Sequence, residues 1–349
     1  MGSRILDETN LPEWLSERGL VPAGAEVTIT AAGDGNINWV QRVARADGAS
    51  LIVKQARPSL EKFPEYEADT RRIVTEFDWL EVAGALDTGA VCPRVLYFDE
   101  EDRVLVLEDL GEAERLDSAL RGNAPLATEL AGVGTLLGRV HRATWEDSSM
   151  ARRFSATGMR NLHFAHIYDL PFEENDFPLS PVVAERAQQL RDDTEVLEKI
   201  AAAREDAHAN AHCVQHADPQ PGNILLTATG PKLLDAEIAH FGDPAFDPGN
   251  LLGHLGLAGL PGHRVELLRA RASAWWDSYR DAVGAERAPC FPGVVAHAAV
   301  EMLRRTIGAA RVTFVEQDDH ALTAIETACS WLREPPAAPG ALQLRRDIR

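Results

Sequence analysis

Hydrophobic and polar residues alternate in short runs through the first third of the chain, with helical spacing between some of the runs. The alternating or apolar runs predict strands at Val27–Thr30, Trp39–Val43, Ser50–Lys54, Arg94–Phe98 and Val104–Leu107. Helical spacing predicts a short helix over Glu13–Gly19 and a longer one over Glu65–Val82. This order of elements predicts a small lobe built around a mixed β-sheet, covering residues 1–110.

The remainder of the chain has a mostly helical pattern. The predicted helices span Leu126–Thr144, Val182–Asp206, Arg264–Val283 and Val294–Thr313. Between the second and third of them, two apolar strands enclose a loop rich in proline and glycine. We therefore predict an α+β protein in which a larger, mainly helical lobe covers residues 111–349. The stretch Glu334–Gly340 is rich in Pro and Ala, which predicts a loosely held end.

Composition limits the function classes. The chain has 349 residues and a net charge of −19, which argues against nucleic acid as a partner because phosphates need a basic surface. The four cysteines form no CxxC pair, and no apolar run reaches the roughly 18 residues of a membrane span. The first residues, Met1–Leu11, contain no apolar signal segment. We expect a cytoplasmic protein that does not bind membranes, and a homodimer is left open.

The stretch His216-Ala-Asp-Pro-Gln-Pro-Gly-Asn223 carries the strongest chemical signal. Asp218 stands five residues before Asn223, and an apolar strand then leads to Asp235 and Glu237. Phosphoryl transfer needs a carboxylate that orients the attacking hydroxyl and oxygen ligands that hold Mg²⁺ on the phosphates. The order predicts Asp218 as the catalytic residue that contacts the substrate. It predicts Asn223, Asp235 and Glu237 as magnesium ligands, the last two on one face of an extended segment.

Two segments of the first lobe are candidates for binding ATP. The turn Gly33-Asp34-Gly35-Asn36 between two strands could hold phosphates with backbone amides, although a plain hairpin turn has the same composition. Lys54 lies within an apolar strand, where it would contact phosphates and pair with a Glu on the following helix. Glu76 is the first choice of partner and Glu67 the second. The alternative is a lysine that protects an edge strand from aggregation.

The strand Leu105–Leu107 ends in Glu108-Asp-Leu110, which could receive adenine through the backbone groups of Glu108 and Leu110. An ordinary strand followed by a turn would have the same sequence.

Three other features belong to the helical lobe. We predict that His216 braces its loop by hydrogen bonds, and that Asp247 caps a helix and steadies the same loop. Arg304 and Arg305 are adjacent on a helical segment, and this pattern alone favours a solvated face over a ligand site.

Taken together, these residues resemble the aminoglycoside phosphotransferase and choline kinase superfamily, which has a bilobal protein-kinase-like fold. The segments most similar to its 5-methylthioribose kinase family are Gly33–Asn38, Val53–Ala56, Glu108–Leu110, Asp235–Gly242 and Arg304–Gly308. The catalytic loop reads His-Ala-Asp where the superfamily usually has His-Gly-Asp. Asn223 stands where methylthioribose kinases carry Ser, and the metal motif reads Asp-Ala-Glu instead of Asp-Pro-Glu.

The resemblance implies an ATP- and Mg²⁺-dependent kinase that phosphorylates a hydroxyl of a small sugar-like metabolite, with 5-methylthioribose or a related pentose as first choice. It also implies that Arg304 and Arg305 bind this substrate and the transferred phosphate. One alternative is an aminoglycoside- or choline-type phosphotransferase with another hydroxylated acceptor. A second is a non-catalytic nucleotide-binding module, which usually lacks one of the key residues that are present here.

Overall fold

A computed structural model of the chain describes residues 4–33, 38–59, 69–87, 91–155 and 157–345. The chain divides into two compact units, Met1–Glu112 and Ala113–Arg349. Across these described ranges, the helices are all too short or too polar to cross a membrane.

The first unit is organised around an antiparallel sheet with the strand order β1-β2-β3-β5-β4. Its strands are β1 (Val27–Ala31), β2 (Trp39–Arg45), β3 (Ser50–Gln55), β4 (Val95–Asp99) and β5 (Val104–Glu108). Its helices are α1 (Leu11–Glu17) and α2 (Arg72–Asp87). Leu11, Trp14 and Leu15 of α1 lie in one hydrophobic core with residues of β2, β3 and β5. The burial of this apolar surface stabilises the unit.

The position of β3 decides how Lys54 is interpreted. Because β3 lies between β2 and β5, the interpretation of Lys54 as an edge-strand lysine is wrong. A lysine on a central strand must be compensated by a partner, since burial of an unpaired ammonium group is costly.

The second unit is mainly helical. Its helices are α3 (Leu116–Ala119), α4 (Ala127–Ala143), α5 (Ser148–Arg153), α6 (Thr157–Phe164), α7 (Pro181–Arg191), α8 (Thr194–Ala209), α9 (Phe246–Gly259), α10 (Val265–Val283), α11 (Phe291–Ile307) and α12 (Asp318–Arg333). Its short strands are β6 (Glu114–Arg115), β7 (Cys213–Gln215), β8 (Ile224–Thr227), β9 (Gly230–Leu233) and β10 (His240–Gly242). They form the antiparallel sheets β6-β8-β9 and β10-β7.

Two helix predictions need correction. The single helix predicted over Val182–Asp206 is two helices, because the Asp193 carboxylate accepts the backbone N–H of Val196 and begins α8. The helix predicted over Val294–Thr313 begins earlier, with Pro292 in its first turn, and ends at Ile307, with Gly308 as its C-cap residue.

The stretch Glu334–Gly340, predicted as a loosely held end, is mostly exposed, but the residues that follow it are anchored. Leu342 and Leu344 are buried, and the Trp331 indole N–H donates to the Gln343 carbonyl at 2.9 Å. The buried leucines and this hydrogen bond hold the segment that follows the Pro- and Ala-rich stretch.

Two glycines of α9 allow close packing against α11. A Cβ atom on Gly253 would lie 2.7 Å from the Ala298 carbonyl oxygen and 3.0 Å from Glu301 Cβ. On Gly249 it would lie 2.4 Å from His297 Cβ. Both helices carry residues of the site described below, so this close approach sets their spacing.

The carboxylate of Asp247 anchors the loop that contains Asp218. Its two oxygens accept the backbone N–H groups of His216 and Ala217, both at 2.8 Å, and His141 Nε2 lies 3.2 Å away. The predicted steadying of the loop is therefore confirmed. The predicted helix cap is wrong, because Asp247 lies inside the first turn of α9 and Ala245 is the N-cap residue.

We expect Gly253→Ala to lower the free energy of unfolding by about 1–3 kcal/mol, because the added methyl group would overpack the α9–α11 contact. At Gly84 on α2, no atom of the described residues lies within 4 Å of the place that an added Cβ atom would occupy. Gly84→Ala should therefore raise the free energy of unfolding by roughly 0.5–1 kcal/mol, since Ala is the better helix former. Chemical denaturation measures both, and a neutral Gly253→Ala would contradict the packing argument.

We expect Asp247→Asn to lower the free energy of unfolding by roughly 1.5–3 kcal/mol, the usual worth of hydrogen bonds to a charged group. Burial alone would raise the pKa of Asp247, but the hydrogen bond and charge of His141 and the His216 backbone N–H lower it overall. The stabilisation should thus be complete above the ordinary carboxyl pKa of about 3.9 and disappear as the pH falls through the lower pKa of the folded protein.

The measurement is the difference in unfolding free energy between wild type and Asp247→Asn from about pH 3 to pH 7. Asp281→Asn on the exposed surface of α10 is the control and should stay within about 0.5 kcal/mol. A difference that grows as the pH falls would contradict the assignment.

Candidate functional site

Asp218 is held in its loop by a set of local hydrogen bonds. Its Oδ2 atom accepts hydrogen bonds from the side-chain amides of Asn223 and Gln220, each at 3.0 Å. Asn223 closes a short 3₁₀ turn, Pro221–Asn223, and its amide also donates to the Asp218 carbonyl at 3.0 Å. The carboxylate is thereby given one orientation, which is what a residue that positions a reacting hydroxyl requires.

His216 braces the same loop, as predicted. Its Nδ1 atom accepts the backbone N–H of Asp218 at 3.3 Å, and Nε2 donates to the Leu234 carbonyl at 3.0 Å. Burial lowers the pKa of His216. A neutral ring, with one nitrogen accepting and the other donating, fits both contacts.

Ala217 occupies a backbone conformation that favours glycine. Its φ angle is 71°, in the left-handed region. The superfamily that the chain resembles usually has glycine at this position. The backbone N–H groups of His216 and Ala217 donate to the Asp247 carboxylate, and these two hydrogen bonds compensate for the strain by fixing the loop at both residues.

The acidic pair follows the loop but is not extended. Strand β9 ends at Leu233, Asp235 has a φ angle of 64°, and Glu237 lies in a turn, so the prediction of an extended segment is wrong. Aspartate tolerates the left-handed region better than most residues. The Leu234 N–H donates to the Asn223 carbonyl at 2.9 Å, which places Asp235 next to the end of the catalytic loop.

Within the ranges that the structure describes, no three side chains of His, Cys, Asp or Glu form a metal-binding group.

Arg304 and Arg305 are buried, with only 8% and 6% of their surface exposed. The interpretation as a solvated face, which the helical pattern alone favoured, is therefore wrong. Arg305 Nη2 lies 3.5 Å from Asp218 Oδ1, and Arg305 Nε donates to Glu301 Oε1 at 2.6 Å. The structure thus brings Arg305 to the carboxylate of Asp218.

Glu301 and His254 also belong to this cluster, and the sequence analysis missed both. Arg304 Nη1 donates to Glu301 Oε2 at 2.9 Å, and His254 Nε2 lies 3.2 Å from Glu301 Oε1. Burial alone would raise the pKa of Glu301, but the charges of Arg304 and Arg305 hold it well below its usual range. The spacing of Glu301, three and four residues before the two arginines, is a signal that could have revealed it.

Lys54 and Glu76 form a buried ion pair in the first unit. Lys54 Nζ lies 2.6 Å from Glu76 Oε1, and both side chains are almost fully buried. This is the first-choice pairing from the sequence. The second choice, Glu67, lies outside the described residues.

The other predicted nucleotide-binding residues are only partly described. Gly33 has a φ angle of 73°, in the region that glycine adopts without strain, whereas Asp34, Gly35 and Asn36 lie outside the described residues. The Glu108 N–H donates to the Arg94 carbonyl at 3.0 Å, and its carboxylate accepts from Arg94 Nε at 2.9 Å. Because the Glu108 N–H is already bonded to Arg94, contact with adenine remains a prediction only for the Glu108 carbonyl and for Leu110.

Known proteins similar to this chain include several kinases of small molecules. Methylthioribose kinase of Yersinia pestis (strain Pestoides F) is 28% identical over 260 residues, which cover 69% of this chain and 62% of that protein. Methylthioribose kinase of Klebsiella pneumoniae (strain 342) is 27% identical over 338 residues, which cover 84% of each. The matched region thus spans less than two thirds of the Yersinia relative.

A solved structure shares the fold. Choline kinase LicA from Streptococcus pneumoniae matches with a TM-score of 0.52 at 14% identity, covering 93% of this chain and 98% of that one. LicA in complex with AMP gives a TM-score of 0.55 at 16% identity, covering 94% and 98%. The predicted α+β, protein-kinase-like fold is confirmed. Residues 28–282 match the model of the phosphotransferase enzyme family, and the chain belongs to that family.

Proposed function

We propose that this protein is a small-molecule kinase that transfers the γ-phosphate of ATP to a hydroxyl group of a sugar-like metabolite, 5-methylthioribose or a related pentose. The observation that carries the proposal is the oriented carboxylate of Asp218 with the buried guanidinium of Arg305 3.5 Å away. A carboxylate and a fixed cation side by side suit a reaction in which a hydroxyl loses a proton and gains a phosphoryl group.

In this mechanism Asp218 accepts a hydrogen bond from the acceptor hydroxyl and takes its proton late in the transfer. Asn223 and Gln220 hold the carboxylate in one orientation, so that little reorganisation is needed when the acceptor binds. Arg305, and Arg304 beside it, stabilise the negative charge that the phosphoryl group carries during transfer.

The donor set of the second unit fits Mg²⁺. Asp235 and Glu237 offer carboxylate oxygens. Asn223 offers an amide oxygen, because its amide nitrogen donates to Asp218. Mg²⁺ prefers such oxygen ligands and often takes only one or two protein carboxylates together with substrate phosphates. When bound, ATP would supply the phosphoryl group and Mg²⁺ would neutralise its phosphates.

In the first unit, Lys54 is the residue proposed to bind ATP phosphates. Glu76 holds the lysine ammonium group in place at 2.6 Å. We also assign phosphate contacts to Gly33, Asp34, Gly35 and Asn36, and adenine contacts to Glu108 and Leu110.

Charge favours a neutral sugar as the acceptor over a cationic amine. Arg305 lies 3.5 Å from Asp218, so a cationic group of an aminoglycoside or a choline-like substrate placed at that carboxylate would stand beside a guanidinium group. The methylthioribose kinase relatives support the same choice at modest identity. A panel of acceptors with ATP and Mg²⁺ tests the proposal. It should release ADP fastest with 5-methylthioribose, and ³¹P NMR should show a sugar phosphate. Phosphorylation of amine-containing acceptors only would overturn the sugar assignment.

We expect Asp218→Asn to lower kcat by about 10²–10⁴-fold, the usual contribution of a positioned base, while ATP binding stays nearly unchanged. The amide keeps the shape of the side chain but cannot accept the proton. Steady-state kinetics gives kcat, and calorimetry gives the Kd for ATP. More than about a tenth of the wild-type kcat in this variant would refute the catalytic role.

We expect Arg305→Lys to lower kcat/KM for the acceptor by roughly 10–100-fold. The planar guanidinium group of arginine reaches Glu301 and Asp218 together, whereas the single ammonium group of lysine cannot. The KM for ATP should change little. Arg139→Lys on the exposed side of α4 is the matched control and should behave as wild type. Equal kinetics of the two variants would remove the support for a sugar acceptor.

A further inference from the structure

We propose that Glu301 is a positioning residue that holds Arg305 away from Asp218 and so leaves that carboxylate open to the acceptor. This inference rests on the proposed kinase function. It concerns a carboxylate that is itself almost fully buried, so its effect must pass through the side chains that it touches.

The contacts of Glu301 reach three side chains on two helices. Oε1 accepts from Arg305 Nε at 2.6 Å, from Arg304 Nη1 at 3.2 Å and from His254 Nε2 at 3.2 Å. Oε2 accepts from Arg304 Nη1 at 2.9 Å. Burial is the main cause that lowers the pKa of His254, so the ring is neutral at pH 7 and donates a hydrogen bond without adding a charge. Its contact orients the carboxylate from α9.

The distances decide which carboxylate holds Arg305. The guanidinium lies 2.6 Å from Glu301 but 3.5 Å from Asp218, so the stronger of the two contacts is with Glu301. Without the Glu301 charge, Arg305 would be free to form a short ion pair with Asp218. That pair would occupy the carboxylate oxygen to which we assign the acceptor hydroxyl.

The charge balance points the same way. Glu301 and Asp218 supply two negative charges, and Arg304 and Arg305 two positive charges; Asp218 is partly exposed and the other three are buried. Removal of the Glu301 charge leaves an excess guanidinium charge 3.5 Å from the Asp218 carboxylate. Glu301 therefore sets the position of Arg305 and, through it, the accessibility of Asp218.

The test is Glu301→Gln, which keeps the length of the side chain and removes its charge. We expect kcat/KM for the acceptor to fall about 10–100-fold, as in other losses of a charge-assisted contact, while the KM for ATP stays within about twofold. Glu326→Gln is the matched control. Glu326 forms an ion pair with Arg186, with 2.5 Å between Glu326 Oε1 and Arg186 Nε, and lies outside this cluster. It should leave both parameters unchanged. A rise in the KM for ATP equal to that for the acceptor would show that the effect is not confined to the acceptor, and would overturn the assignment.

A double-mutant cycle separates positioning from mere stability. In the Arg305→Lys background, Glu301→Gln should add no more than about a twofold loss in kcat/KM for the acceptor, because its effect passes through Arg305. An undiminished loss in that background would overturn the proposal.

The cycle also has a readout without catalysis. The thermal unfolding midpoint should fall less in the double variant than the sum of the two single shifts, and strictly additive shifts would overturn the proposed contact. If wild type phosphorylates no acceptor in the panel, the proposed function fails, and this stability cycle still tests whether Glu301 holds Arg305.

Discussion

The hydrogen bonds from His216 and Ala217 to the Asp247 carboxylate are the constraint on which the rest of the site depends. They hold Ala217 at a positive φ angle and so determine the position of the next residue, Asp218. Asp247 lies on α9, and the glycines of α9 allow this helix to pack closely against α11. One buried carboxylate thereby links the helical framework to the loop that we propose to be catalytic.

The same framework brings opposite charges together. Helix α11 carries Glu301, Arg304 and Arg305, and α9 contributes His254, so the spacing of the two helices sets the geometry of the buried cluster. Buried ion pairs contribute little net stability once desolvation is counted. Their value here, in the function we propose, is preorganisation. The guanidinium groups already stand where charge would develop, and they need not be ordered during the reaction.

The sequence allowed the strands, the catalytic loop and the Lys54–Glu76 pair to be predicted, because each depends on local pattern and spacing. It gave the wrong environment for Arg304 and Arg305, since a helical pattern does not reveal how much neighbouring structure covers a face. The break at Asp193 was missed because one capping carboxylate outweighs a continuous helical period. The left-handed φ angle of Ala217 is held by tertiary hydrogen bonds to Asp247 and could not be predicted from local preference.

The most direct test of the proposed role of Asp218 is a crystal structure with a non-hydrolysable ATP analogue, Mg²⁺ and 5-methylthioribose. The account predicts a sugar hydroxyl within about 2.6–3.2 Å of an Asp218 carboxylate oxygen, the reach of a general base. It also predicts that Arg305 remains bound to Glu301 while its free edge contacts the sugar or the phosphate. A sugar bound away from Asp218, with Arg305 closed onto that carboxylate, would contradict the account.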